Sequence, residues 1–439
     1  MTLAQNHQQP LNGNKLLLSI LMVMLLLASS CSIFQKSTGE GEDITQSERQ
    51  NPDTAKIPVL TDTVKQTAIV PSIDLAVMLP FFTDSNEVYF LDEEFESEGE
   101  LSIYHGSSLA IEFYEGITIA LDSIKQRSLN FNVHVYDTHN DTSRVKNIFN
   151  GQEWEDIDLI IGPVYNKNLR IVAQRARSDK KYLISPLSPS ATITNLNPYY
   201  VMMNATLQTH CRTLAEYMRD MFPGSNKVVL RQGSNNSEDI LIEHFKKGFQ
   251  IDTLNEVIMT RRTIVDTSSI GRWLIPSKDN LVIIPSFDEA FVSYVTGQLN
   301  RLMNSYTIIV AGMPTWKHYR SLRIDYLQKL QAHITDSYWT SMEDQKLLNF
   351  RKAYIKAYKT EASEYAVRGF ELMMYVQKLI EEYGEDFPKH LDKRYSSIYT
   401  DFMISPHYVN PITKTGINYL ENQFVHILKY KDYDLVKIN

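Results

Sequence analysis

Asp137-Thr138-His139-Asn140-Asp141 is the run whose side chains come nearest to a metal site, because oxygen donors alternate as they do at the start of a calcium loop. Such a loop needs glycine at its sixth place for the sharp turn and a bidentate glutamate at its twelfth. Those places hold Thr142 and Ile148, so no calcium site is expected. His134 and His139 lack partners at metal-ligand spacing and read as solvent-facing. Cys211, beside Leu214 on a helical stretch, reads as a buried packing residue. The chain has no Gly-x-Ser-x-Gly elbow, no His-Glu-x-x-His helix and no Gly-x-x-x-x-Gly-Lys phosphate loop. Bond-making chemistry, a metal and a cofactor are therefore not expected, which leaves binding.

The polar groups that could bind follow short apolar runs. Leu159-Ile160-Ile161 ends at Gly162-Pro163, and Tyr182-Leu183-Ile184 ends at Ser185-Pro186. A wholly apolar run of this length is the mark of a parallel strand covered on both faces. Between the two runs, Asn166 and Asn168 are candidate N-caps for a helix with Leu169, Val172 and Ala173 on one side. Both turns then lie at C-terminal strand ends, the ligand edge of an open α/β sheet.

The same alternation runs through the chain. Strands are predicted at 73–79, 131–136, 227–230, 256–260, 281–284 and 307–311, with helices at 106–127, 207–222, 238–249 and 289–303 between them. Helices dominate from Glu343, at 350–359 and 365–383, and short strands fill Tyr395 to Asn439. Two similar α/β blocks predict two doubly wound parallel-sheet lobes with a hinge and an interlobe cleft. Lobe one is assigned 73–204 plus about 338–392, and lobe two 205–337 plus about 393–439.

The first thirty residues read as a signal peptide, with Lys15 before an apolar run from Leu16 to Ala28. Ala28-Ser29-Ser30-Cys31, after Leu25-Leu26-Leu27, resembles a bacterial lipobox, which implies lipidation at Cys31. Residues 31–72 are polar and aperiodic and read as a tether. Within them Asp53-Thr54-Ala55 and Asp62-Thr63-Val64 resemble O-glycosylation sites of Bacteroidota. The net charge of −8 argues against nucleic acid as a partner.

IDLAVMLPF, YEGITIALDSI, VHVYDT, DLIIGPVYNKN, YLISPLSPSAT, KVVLRQGSNNSEDILIEHFKKGF and Tyr365-Ala366-Val367-Arg368-Gly369 occur in this order between Ile73 and Ile438. Together they resemble the type I periplasmic binding proteins of the branched-chain amino acid receptor group. The resemblance implies a non-catalytic protein that closes two lobes on a small polar solute. It places ligand contacts at Tyr165, Asn166, Ser188, Ser190, Gln208 and Thr209. Asn236, Asp288 and Thr315 are lobe-two candidates that the family's positions do not supply. The acidic residues that hold an amino acid's amine in that group are missing at Gln208 and across Gly312 to Trp316, so an ordinary α-amino acid is not expected.

An alternative comes from the same fold. It also resembles the C-terminal domain of outer-membrane lipoproteins that activate penicillin-binding proteins, where an envelope protein is the partner. The stretch from Thr83 to His105, rich in Asp and Glu and free of Lys and Arg, fits a lid, a docking element or a solvated loop. Either way the body is expected outside the cytoplasm on a membrane anchor, facing the periplasm, with the outer membrane ahead of the inner and the cell surface left open.

Overall fold

The computed structural model describes residues 72–91, 103–124, 129–233, 236–259 and 267–438. The signal segment, Cys31, the tether with its two acceptor-like sites, and the middle of the acidic stretch lie outside the described residues.

The first sheet takes β1 (Ser72–Leu79), β2 (Asn130–Asp137), β3 (Leu159–Ile161), β4 (Tyr182–Ser185) and β5 (Tyr200–Met202). Between them run α1 (Thr83–Leu91), α2 (Ser108–Ile124), α3 (Thr142–Ile148) and α4 (Asn166–Asp179). The second sheet follows α5 (Leu207–Met221) and takes β6 (Asn226–Arg231), β7 (Asn255–Ile258), β8 (Asp279–Ile283), β9 (Thr307–Ala311) and β10 (His333–Asp336). Its helices are α6 (Asn236–Phe249), α7 (Thr267–Gly271), α8 (Glu289–Leu302) and α9 (Ile324–Lys329). The chain then forms α10 (Gln345–Tyr358), α11 (Glu364–Tyr383), β11 (Tyr395–Ser396), β12 (Asp401–Phe402), β13 (Ile404–Asn410), β14 (Thr415–Asn422), β15 (His426–Lys431) and β16 (Asp434–Lys437).

Strand order is β13-β14-β5-β4-β3-β1-β2 in the first sheet and β16-β15-β10-β9-β8-β6-β7 in the second. In the first sheet six strands, β14 included, run parallel and β13 is antiparallel at the edge; in the second, five strands run parallel, β15 is antiparallel to β10 and β16 antiparallel to β15. The predicted pair of doubly wound lobes is what forms. The division of the tail differs from expectation, because β13 and β14 pair onto β5 in lobe one and only β15 and β16 join lobe two. Both hairpins mix apolar and polar residues, and that composition fits the open edge of either sheet. Which edge each one takes is settled by pairing partners that are distant in sequence.

The apolar runs are explained by two covered faces. Leu75, Val77, Leu79, Leu159 and Ile161 pack with Phe113, Ile117 and Val376, while Ala76, Met78, Ile160 and Leu183 pack with Leu169, Val172 and Trp154. Successive residues thus serve opposite layers, the period-two consequence of strand geometry. On the first layer, α2 and α11 cross at Gly116 and Gly369. A Cβ on Gly116 would lie 1.9 Å from the Ala366 carbonyl oxygen, and one on Gly369 would lie 2.0 Å from that of Phe113. Both glycines belong to motifs that carried the family resemblance, and their role is this close helix approach.

Candidate functional site

In a doubly wound sheet the first two helices leave opposite faces, which opens a crevice at the C-terminal strand ends where the order reverses. Lobe one has this point between β1 and β3, and lobe two has it between β6 and β8.

At the lobe-one point, Gly162 turns the chain out of β3 with φ of +88° and leaves no room for a side chain, since a Cβ would sit 2.2 Å from the Met78 carbonyl oxygen. Helix α4 starts directly after Tyr165. Neither asparagine caps it as predicted: Tyr165 is the N-cap residue without a side-chain bond, Asn166 is the first helical residue, and Asn168 is fully buried. The Asn166 side chain reaches across instead, where its Oδ1 accepts the Ser188 hydroxyl at 2.8 Å. The Ser188 oxygen accepts the Ser190 N–H at 3.3 Å, and the Ser190 and Thr192 hydroxyls lie 3.1 Å apart. Asn204 donates to the Leu187 carbonyl and ties this turn to the exit of β5. Asn166, Ser188 and Ser190 are therefore brought together, with Tyr165 exposed beside them.

Beside this point Asp137 organises the exit of β1. Its carboxylate accepts the N–H groups of Phe81, Phe82, Thr83 and His139 and the Thr83 hydroxyl. Burial alone would raise its pKa, but these bonds, Thr83 and His139 foremost, hold it below the usual value. The satisfied N–H groups start α1, so Thr83 to Leu91 is helix and not the loop expected there. Neither histidine is simply solvent-facing. His134 is half-buried with Nε2 2.9 Å from Asp74 Oδ1, and the His139 ring lies against Phe82, 5.0 Å between centroids.

The lobe-two point is charged. Arg231, at the end of β6 and buried, faces Glu256 at 2.9 Å, Asp239 at 2.6 Å and Glu238 at 3.8 Å. Glu238 accepts the Gln232 N–H at 3.1 Å, and burial pushes its pKa up against that bond and the arginine. Gln232 donates its amide to Asp288 Oδ2 at 3.0 Å, while Asp288 Oδ1 accepts the Phe291 N–H as N-cap of α8. Thr315 donates to the Tyr319 hydroxyl at 3.0 Å, which donates to the Phe287 carbonyl at 2.7 Å. Asn236 is the first residue of α6 at this same edge. Sequence reasoning named Asp288 and Asn236 here but missed Arg231, Gln232 and Glu238. The available signal was an arginine closing an apolar strand seven residues before a glutamate at a helix start.

No protein-family model and no curated protein matches the chain by sequence. Solved structures do match by shape. A putative branched-chain amino acid ABC transporter protein from Rhodospirillum rubrum superposes with a TM-score of 0.57 at 13% identity, over 84% of this chain and 100% of that one. A branched-chain amino acid ABC transporter periplasmic ligand-binding protein from Burkholderia xenovorans gives 0.53 at 12% identity, over 84% and 94%. An ABC transporter substrate-binding protein from Desulfitobacterium hafniense, in complex with Leu, gives 0.50 at 13% identity, over 84% and 100%. The chain has the type I periplasmic binding protein fold.

In this binding protein fold the chain passes between lobes three times, after Met202, after Asp336 and after Asn422. Thr209 belongs to these crossings. Its hydroxyl donates to Glu421 Oε1 at 2.7 Å, and the same oxygen accepts the Thr206 N–H at 2.8 Å. The start of α5 is thereby bound to β14, and Gln208 is half-buried beside it. His210, buried one residue further on, sits between the Thr335 and Ser337 hydroxyls at 2.9 and 3.1 Å, and burial holds its pKa down at about 4. Glu371, fully buried on α11, accepts the N–H groups of Ile398 and Tyr399, each at 2.6 Å. Burial raises its pKa to about 7 despite those bonds. The Tyr399 carbonyl in turn accepts the Trp339 N–H at 2.8 Å and lies 2.7 Å from His426 Nε2, so one peptide group links two of the crossings. Sequence reasoning missed Glu371; the available signal was a carboxylate inside the apolar run FELMMYV. Cys211 is buried as expected, with its thiol pKa raised by burial. Among the described residues no cluster of His, Cys, Asp or Glu could hold a metal ion, and no helix is long and apolar enough to cross a membrane.

Proposed function

We propose that this is a lipid-anchored, extracytoplasmic solute-binding protein that captures a small polar ligand between its lobes without catalysis. The observation that carries this reading is the pair of switch points, each ending in polar side chains, on two lobes joined by three crossings. Lobe one offers hydroxyl and amide groups through Asn166, Ser188 and Ser190; lobe two offers Gln232 and Asp288. Neutral donors with a carboxylate in the other lobe suit a polyhydroxylated or amine-bearing solute better than an anion. Cys31 supplies the anchor, and the lipobox resemblance supports it. A thermal-shift screen of the mature chain tests the ligand: a solute at about 100 times its dissociation constant stabilises by about 2.7 kcal/mol. Cys31→Ser tests the anchor, since it should release the protein from the membrane fraction.

The alternative, an envelope lipoprotein that binds a protein partner, is favoured by one feature. Ser188, Thr209, Asp288 and Thr315 are each already bonded within the chain. If no sugar, amino acid, peptide or cell-wall fragment shifts unfolding, while cross-linking captures an envelope protein through residues at these edges, the solute reading fails and this one stands.

A further inference from the structure

A cavity of about 370 Å³ lies away from both switch points, between α2, α10, α11 and the β11 segment. Its volume falls within the range of small-molecule sites, roughly 300–1,000 Å³. Its floor is apolar, built from Ile119, Phe350, Phe370 and Met374. Phe350 and Phe370 brace each other at 4.8 Å between centroids, and Phe350 belongs to a small core with Leu347, Tyr354 and Val367. The opposite wall is Ser396 to Ile398, and it is fixed because Glu371 holds the Ile398 and Tyr399 N–H groups from behind. The cavity is thus preformed.

The rim sets the charge. Among the described residues that line it, Lys346 is the one ionisable side chain apart from the Tyr395 phenol; it is exposed, with Nζ donating to the Ser397 carbonyl at 3.4 Å. Asn349 has its carbonyl oxygen taken by Gln345 at 2.8 Å, so what it offers a ligand is its N–H donors. A single cation and amide donors over an aromatic and aliphatic floor match one carboxylate on an apolar tail. We propose that this cavity is a second binding site, for an amphipathic monocarboxylate with an aromatic ring or a medium alkyl chain. The tail lies on Phe370 and Met374 and the carboxylate pairs with Lys346.

The proposal is independent of what the interlobe edges bind. Its test is calorimetric titration of the mature chain with 3-phenylpropionate and octanoate, and with 3-phenylpropanol and octanol as neutral counterparts. The acids are expected to bind at least tenfold tighter than the alcohols. Lys346→Glu should weaken the acids at least tenfold and Lys346→Ala to a lesser degree. Ala353→Trp, at an exposed lining position, should abolish binding while the unfolding midpoint stays within the range of the other variants. Ser188→Ala with Asp288→Asn should leave binding unchanged. The proposal is overturned if neither acid binds, if acids and alcohols bind equally, if a folded Ala353→Trp protein still binds, or if the acids are lost with the Ser188 and Asp288 changes. That last outcome would place them at the interlobe edges.

Discussion

The two lobes share the order of their first five strands and differ in what their switch points carry. Lobe one ends in uncharged groups that bond to one another, Asn166 to Ser188 and Ser188 to Ser190. Lobe two ends in a buried arginine ringed by three carboxylates, with Asp288 and Gln232 beside it. The same topology therefore builds one edge that is adaptable and one whose geometry is fixed by charge. A neutral hydroxyl pair can exchange its partner for a ligand at little cost, because one hydrogen bond replaces another. The lobe-two cluster cannot, because its centre, Arg231 with Glu238, is buried, and removing the arginine leaves Glu238 without its counter-charge.

The largest expected effect breaks the charged edge. Arg231→Met should destabilise the protein by roughly 3–5 kcal/mol, measured by urea unfolding, since Glu238 and its neighbours lose their counter-charge. A loss below about 1 kcal/mol would mean that solvent screens the cluster as it does a surface pair, and the contrast between the lobes would disappear.

Next comes Glu371, which holds the loop joining two crossings. It keeps its proton in the fold up to about pH 7, whereas an unfolded glutamate titrates near 4.5. Its contribution is full below the unfolded value and is lost as pH rises through the folded one, by roughly 3 kcal/mol in all. Glu371→Gln, which retains an acceptor, should flatten the decline in unfolding free energy between pH 5 and 8. His210 works in the opposite sense, because a pKa held near 4 makes its contribution full above 6.5 and lost on acidification. Parallel pH profiles for Glu371→Gln and the parent chain would show that the carboxylate is ionised in the fold.

Smaller effects sharpen the comparison of the edges. Asp288→Ala should cost about 1 kcal/mol by removing the α8 cap, whereas Asp288→Asn keeps a cap and should cost only a few tenths. A solute that loses affinity with Asp288→Asn at unchanged stability is read by charge from lobe two. Ser188→Ala should cost about 1 kcal/mol, because it removes a buried hydroxyl with two neutral bonds, to Asn166 and from the Ser190 N–H. A cost above about 2 kcal/mol would show that the lobe-one edge is as rigid as its counterpart.

Much of the fold was legible from local pattern. β3 had to be a doubly covered strand because Leu159, Ile160 and Ile161 leave no polar face, and α11 had to be buried because its apolar residues recur at helical spacing. Thr83 to Leu91 was misread because what starts that helix is Asp137, more than fifty residues away, accepting its first N–H groups. The tail was misassigned for a similar reason: nothing in the residues of β13 and β14 states which sheet their hairpin extends.

The sequence by itself determined two α/β lobes, their order, and that Asn166, Ser188 and Ser190 follow the C-terminal ends of strands. These depend on period and turn chemistry, which act over a few residues. Tertiary structure alone decided that Thr209 is bound to Glu421, that Arg231 gathers Glu238, Asp239 and Glu256, and that Glu371 holds the peptide linking the crossings. Those pairings span up to about two hundred residues, and such a contact is selected by what burial brings together and by the cost of leaving a polar group there unpaired.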